Sequence, residues 1–565
     1  MFGLVLRSTI VLGILFGLFF AVAAAALYFV HAPVYIALIV AVVLCGLNYW
    51  LGPWIIGLCF KIRWVEESEI PPYIAKFLGD RAVAHRIKVP RFGIIEDGNP
   101  NAFTYGHYPG DARIVITRGI LDMCDEDEVT AVVGHEFGHI VHWDFVVMTI
   151  ASTIVLCLYY IYIFGRTGAR GRGKSAGGAA AVALGALIAY FIAEYLTLAL
   201  SRLREYYADR YSAEQTMKPN ALSTALVKIA YGLAKSGGAS GVPLTGDAKA
   251  DAKAAAKAKQ QEQLSPMHGL RAMGIFDPKS AANLALAAAG SQSSAAQAAD
   301  PGVMVKAMEW DLWNPWARIY ELSSSHPLPA KRIRALGKFA AFIGQPELFE
   351  IPAHAPESYW DEFLTDVLVM CLPLLGLLAG LFVGLGISYG GGATASHVST
   401  LPAFGCAMLG YGLGLLVRLR FSYPSRAFPD AQVTDLVTQV KVSVVRCIPV
   451  TMRGKIIGRG IPGLYWSKDL VVEDDTGFMV VLYNQPLWIL TWLFGLFRAE
   501  GFIGQTVEVN GWYRRPVRPI LEAYQIRTED GKLNTCWLWA AKKVWAWAML
   551  IVGLGLLIAG LVGGH

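Results

Sequence analysis

The chain has 565 residues, room for about three or four domains, of which 55% are hydrophobic and only 16% charged. Soluble chains carry about 25% charged residues, so much of this surface has to lie in lipid. A net charge of +6 favours basic loops beside an anionic leaflet over a nucleic-acid-binding face, and 8 scattered cysteines without a C-x-x-C exclude a disulfide framework and a cysteine metal site.

Thr9 to Val30 and Pro33 to Phe60 each exceed the ~20 apolar residues a bilayer crossing needs, so residues 1–60 read as two transmembrane helices. Arg7 and Ala21-Val-Ala23 also fit a cleavable signal peptide, but the apolar run continues past Ala23. Lys61 and Arg63 place the next segment on the cytoplasmic side. From Ile70 to Asp144 the pattern turns α/β, with strands predicted at Arg91 to Ile95 and Ala112 to Thr117 around a Gly98-Asn-Pro-Asn101 turn. Asp125 to Glu128 then supplies four carboxylates where the positive end of the next helix favours them.

That helix carries His135, Glu136 and His139 as H-E-x-x-H. Positions i and i+4 share a helical face, so both imidazoles reach one cation, and Glu136 stands close enough to hold a water without being a ligand. Two neutral imidazoles, Zn²⁺ and a carboxylate that takes the water's proton make a hydrolase. Fe(II) also suits a His₂-carboxylate set, but the Glu inside the motif favours hydrolysis. Third and fourth spans are predicted near 145–164 and 179–200, the latter running without a breaker into Ser201-Arg-Leu-Arg-Glu-Tyr-Tyr-Ala-Asp209. Glu205 on this neighbouring helix supplies the third protein ligand that a two-His zinc site needs, and Asp209, one turn on, is placed to hydrogen-bond a ligating imidazole. Arg202, Arg204 and Arg210 leave a surface salt-bridge cluster as the competing reading of the two acids. His142 reads as an interfacial residue. Glu194, inside the fourth span, either lines a wet passage or bonds a nearby Tyr.

Four stretches in one order, Asn101-Ala-Phe-Thr-Tyr-Gly106, His135-Glu-Phe-Gly-His139, Ser201 to Asp209 and Ser325-His-Pro-Leu-Pro-Ala-Lys-Arg-Ile333, carry a resemblance from Met1 to about Leu336. The chain resembles the HtpX-type membrane metalloproteases, relatives of the CAAX prenyl proteases. The resemblance implies a mainly helical gluzincin-type domain over 61–350 and a zinc endopeptidase acting on membrane or membrane-delivered proteins, in protein quality control. It places the protein in a bacterial inner membrane with the catalytic domain cytoplasmic. It implies His135, His139 and Glu205 as ligands of one Zn²⁺, with Glu136 as general base. Asn101 and Ala102 would lie on the strand that pairs with extended substrate, and His326 with Arg332 would stabilise the oxyanion. A prenyl-protein protease and a non-catalytic scaffold with a structural zinc are the rival readings.

An insertion near 237–300 departs from that resemblance; Asp247 to Gln261 within it is too polar and alanine-rich to bury a face. Trp310 to Tyr320 restores aromatics, expected to lie along the membrane surface. Two further spans fall within 363–420 and a seventh at 544–562. Between them, 430–530 is β-rich, with strands predicted at 451–457, 469–473, 478–483, 506–510 and 520–526 and an apolar helix at 486–497. Five strands with a helix before the fourth make an OB-like domain. Its Arg453, Lys455, Arg459, Arg514, Arg515 and Arg518 could face nucleic acid, but the apolar helix argues for dipping into the bilayer, with those residues meeting headgroups and no nucleic-acid partner. Lys61, Arg63, Arg418, Arg420, Lys542 and Lys543 agree on sidedness; Arg166, Arg170, Arg172 and Lys174, expected outside, do not. The predicted whole is an α-helical multi-pass membrane protein with a metalloprotease domain and a C-terminal β-rich OB-like domain.

Overall fold

In lipid a backbone must satisfy its own hydrogen bonds, so the apolar runs have to be helices. The computed structural model describes residues 2–30, 34–169, 175–233, 301–390, 399–424 and 427–562. The insertion near 237–300, Arg170, Arg172, Lys174 and Arg426 lie outside the described residues. Helices α1 (Phe2–Val30) and α2 (Val34–Cys59, with Pro53 inside) open the chain. Among the described residues six helices are long and apolar enough to cross a membrane: Gly3–Ala26, Asp144–Thr167, Gly177–Thr216, Trp360–Tyr389, Leu401–Ser422 and Leu538–Val562. The protein is a multi-pass membrane protein.

The body between these spans begins with β1 (Arg63–Trp64), α3 (Pro72–His85), β2 (Arg91–Ile95), β3 (Ala102–Tyr105), β4 (Arg113–Thr117), α4 (Arg118–Met123) and α5 (Glu126–Val141). The sheet order is β1-β2-β4-β3, so β3, which holds Ala102 of the strand expected to pair with substrate, is an edge strand. Helix α6 (Asp144–Gly168) follows, then α7 (Ser175–Thr216), a single 42-residue helix that runs through the fourth span and beyond it, as the breaker-free sequence requires. Next come α8 (Pro219–Tyr231), α9 (Pro301–Trp313), α10 (Pro315–Leu322) and α11 (Pro329–Phe342).

Helices α1, α6 and α7 pack around Leu15, Leu158 and Ala189. Two later spans, α12 (Trp360–Gly390) and α13 (Leu401–Ser422), meet through glycines: a Cβ on Gly376 would lie 2.1 Å from the Gly410 carbonyl oxygen. Small residues allow this approach, which lipid does not itself drive.

The last third holds α14 (Val433–Val437), β5 (Ile448–Arg459), β6 (Leu470–Asp474), β7 (Gly477–Leu482), α15 (Trp488–Phe497), β8 (Thr506–Arg514), β9 (Ile520–Thr528), β10 (Leu533–Thr535) and the final span α16 (Leu538–Val562). Strand β5 pairs antiparallel with β6 and β8, β6 with β7, β7 parallel with β9, and β9 antiparallel with β8, closing a five-stranded ring. The ring shares one continuous core with the body built on α3 to α5 and β1 to β4, from Phe137 and Ile140 of α5 to Val450 of β5 and Val509 of β8. At the junction Asn99 Nδ2 donates to the Arg459 carbonyl at 2.6 Å, and Gly458 is required, since a Cβ there would sit 2.0 Å from Asp97 Oδ1.

Two expectations need correction. Trp310 and Trp316 do not lie along the membrane: both are buried, and Trp310 Nε1 donates to the Val442 carbonyl at 2.7 Å. Their apolar surface is covered by Tyr320, Phe363, Val367, Val440 and Val517. Nor do the arginines form a basic face: Arg453 is exposed but pairs with Asp430 and Glu508. Arg459, Arg514 and Arg515 are buried, Arg514 bonding Glu522 and the Ser422 carbonyl and Arg515 the Ala307 carbonyl. Charge was legible in the sequence; burial was not.

Candidate metal centre

Helix α5 starts with a capping box, Asp125 and Glu128 each accepting the other's backbone N–H at 2.9 Å. Glu128 also takes the buried Lys228 ammonium at 2.6 Å, tying the helix to α8. Further along, α5 passes close to α7. A Cβ on Gly138 would meet Ala208 Cα at 3.1 Å, one on Gly134 would meet Ser212 Oγ at 3.0 Å, and Ser212 Oγ donates to the Ala131 carbonyl at 2.5 Å. Glycine at these two positions lets the helices approach until Glu205 reaches the imidazoles. Gly138→Leu is therefore expected to push α7 away and lower the affinity for a metal at these side chains by at least about a hundredfold, read by elemental analysis, because overpacking shifts backbones.

His135 Nε2 and His139 Nε2 stand 3.2 Å apart, 3.5 Å and 3.6 Å from Glu205 Oε2 and Oε1. Nitrogen and oxygen atoms of the three residues all lie within 4.8 Å of one another. The outward ring nitrogens are fixed: His135 Nδ1 lies 2.9 Å from Asp209 Oδ1, and His139 Nδ1 2.5 Å from Asp144 Oδ2. An N–H donated to each carboxylate leaves both Nε2 lone pairs facing inward. Asp209 in turn accepts from Arg332 Nε at 2.8 Å and Nη2 at 2.6 Å, while Arg332 Nη1 lies 3.2 Å from Glu205 Oε2. Arg204 bonds Asp144, the His142 carbonyl and, at 2.9 Å, Ser8 Oγ of α1. Glu136 Oε2 accepts from Thr104 Oγ1 of the edge strand at 2.7 Å. His326 Nδ1 lies 3.0 Å from Glu205 Oε1, out of line for a hydrogen bond.

A divalent cation fits this group. Two imidazole nitrogens 3.2 Å apart and the buried Glu205 carboxylate 3.5 Å and 3.6 Å from them turn their donor atoms toward one point, the His₂-carboxylate set that a divalent cation takes. Burial works against a charged His135, but its bonds to Asp209 and Glu205 outweigh that and push its pKa up to about 10 from 6.5. His139 is raised as well, Asp144 overcoming burial. Metal binding must displace the His135 proton, so the affinity should rise at least about tenfold per pH unit between pH 6 and 9, read by competition with a chelating dye. Without metal the same proton stabilises the fold below pH 6.5, and that contribution is lost as pH climbs towards 10.

The structure brings together His135, Glu136, His139, Glu205, Asp209, His326 and Arg332. Asn101, buried, receives its place from its N–H to Thr117 Oγ1 at 2.7 Å, and Ala102 opens the edge strand. His142 lies outside the ligand group, capping α5 and stacking edge-on against Tyr207 and Tyr211; burial pushes its pKa down to about 4. Glu194 is partly buried in α7 and is not one of the group. Sequence reasoning missed Asp144 and Thr104. Asp144 is five residues from His139, off helical period, and swings under the ring because Trp143 between the helices has a φ of 56°. Asp144→Asn is expected to weaken metal binding about 10- to 100-fold, measured by the same competition.

The HtpX homologue protease of Methanothermobacter thermautotrophicus is 38% identical over 229 residues, 40% of this chain and 84% of that one. Residues 73–340 match the family described as Peptidase family M48. The chain belongs to peptidase family M48. HtpX homologues of Thermoplasma acidophilum and Pyrococcus abyssi are 34% and 32% identical, over 41% and 34% of this chain and 75% and 68% of theirs. This M48 peptidase is a membrane metalloprotease, so its substrate is polypeptide, and the site just described falls inside the matched region. The closed strand ring and the last three spans lie beyond it.

Proposed function

We propose that this metalloprotease is a zinc endopeptidase that cuts membrane or membrane-delivered proteins at the cytoplasmic face of a plasma membrane, in protein quality control. The observation that supports it most is the convergence of His135 and His139 of α5 with Glu205, on the part of α7 that continues past its apolar run, with Glu136 beside the edge strand β3. His₂Glu donors suit Zn²⁺, which when bound supplies a Lewis acid that acidifies water and polarises a carbonyl. An extended substrate adds to the β3 edge beyond Ala102, main chain to main chain. Glu136, oriented by Thr104, takes the proton of the attacking water and hands it to the leaving amine. Arg332 is held by Asp209 and Glu205, which makes it a brace for the ligand set, and His326 is the donor left for the developing oxyanion.

The C-terminal ring reads as an OB-like barrel, supported by its strand order and by α15 between the third and fourth strands. Leu487, Trp488, Leu490 and Phe497 of the α15 segment are exposed, and we place them in the lipid interface. Cleavage of casein and of a detergent-solubilised membrane protein by the purified chain, with and without a chelator, tests the reading. Activity lost to chelator and restored by Zn²⁺ is the expected result; chelator-resistant cleavage contradicts it.

A further inference from the structure

A cavity of about 60 Å³ lies between the end of α8, the segment carrying His326, and the β8–β9 loop of the C-terminal barrel. Pro327, Phe478 and Val517 give it apolar walls. His326 and Arg332 line it and also contact Glu205, so it adjoins the metal centre. Arg518 lines it from the barrel loop.

Three arginines lie within five positions of one another in the sequence and differ in what they touch. Arg514 Nε donates to Glu522 at 2.7 Å, and Arg515 Nη2 to the Ala307 carbonyl at 2.8 Å. Arg518 Nη1 is enclosed and has no hydrogen-bond partner among the described residues. Burial pushes its pKa down to about 10, against a weaker pull from Asp469. An enclosed guanidinium donor with no acceptor is unfavourable, and a carboxylate is the group whose shape and charge complete it.

We propose that Arg518 is a specificity residue that receives a carboxylate of the polypeptide substrate, an acidic side chain or the chain end, in the cavity beside the metal centre. The assignment rests on the metallopeptidase reading of that centre. It also gives the barrel a part in substrate selection, because the barrel shares an apolar core with the body that carries the metal centre and lines the same cavity as His326 with Arg518. The cavity is small enough to select a carboxyl-sized group over a bulky side chain.

The test uses the full chain in detergent with zinc and matched fluorogenic peptides. One series exchanges Glu for Gln at each position around the scissile bond; the other ends in a free acid or an amide. The wild type should show kcat/KM about tenfold higher for the carboxylate member of one pair, and which series shows it identifies the source. Arg518→Leu should level that pair while leaving neutral peptides within about twofold, and Arg518→Lys, which keeps the charge, should retain part of the preference. Equal rates for every pair in the wild type, or an unchanged preference in Arg518→Leu, overturns the proposal. Were no peptide cut at all, the metallopeptidase reading would fail separately. The proposal is then still read from peptide binding to the Glu136→Gln chain by fluorescence anisotropy, where equal affinity for acid and neutral members overturns it. Should Arg518→Leu not fold, Arg518→Gln and Arg518→Lys carry the comparison.

Discussion

Glu136→Gln should leave a folded protein that keeps its metal and cleaves casein about a thousandfold more slowly than the wild type, the scale on which positioned acid–base groups act. The substitution preserves shape, and an amide can still bond Thr104 Oγ1, which lies 2.7 Å from Glu136 Oε2. His135, His139 and Glu205 are untouched, so nothing in the ligand set changes. What disappears is the ability to take a proton from water. Rate measurements paired with elemental analysis check both halves. Equal cleavage by wild type and variant would end the proposed mechanism, and loss of metal along with activity would show that Glu136 is a ligand.

Glu205→Ala should empty the site. The carboxylate is buried, with Arg332, His135, His139 and His326 around it, so its removal takes away the negative ligand and leaves cationic neighbours facing one another. Metal content should fall from one per chain to background, and activity with it. Zinc should raise the Tm of the wild type, since a ligand at 100 times its Kd adds about 2.7 kcal/mol to stability, and should leave the variant unchanged. Glu205→Gln, equal in size but neutral, should behave more like the alanine variant than like the wild type. Stoichiometric zinc in either variant would remove Glu205 from the ligand set.

Much of this was legible because the physics is local. An apolar run of 20 or so residues in lipid has to be a helix, and the breaker-free passage from Ala179 to Asp209 had to be one continuous helix, which α7 is. The i, i+4 spacing of His135 and His139 needs only a helix to bring them together. Glu205 and Asp209 needed the pairing of two distant helices, which the demand of a two-His site for a third ligand suggested and the motif order supported. What stayed hidden depended on contacts between distant segments. Gly134 and Gly138 look like ordinary small residues until α7 lies against them. Asp144 needed the left-handed turn at Trp143. Trp310 resembles an interfacial aromatic until Val442 accepts from its indole. Arg514 and Arg515 look like surface charge until Glu522 and the Ala307 carbonyl appear beside them. The β3 strand came only from the resemblance, because four residues between turns carry too little pattern to announce a strand.

The most direct measurement is X-ray absorption at the zinc edge on the purified, zinc-loaded chain, repeated on Glu205→Ala. Two imidazole nitrogens at about 2.0–2.1 Å and oxygen at about 2.0–2.2 Å in the wild type, with that signal absent from the variant, is the expected outcome. Sulfur in the coordination sphere, or a spectrum that Glu205→Ala leaves unchanged, would mean that the cation sits elsewhere and that α5 and α7 do not meet to hold it.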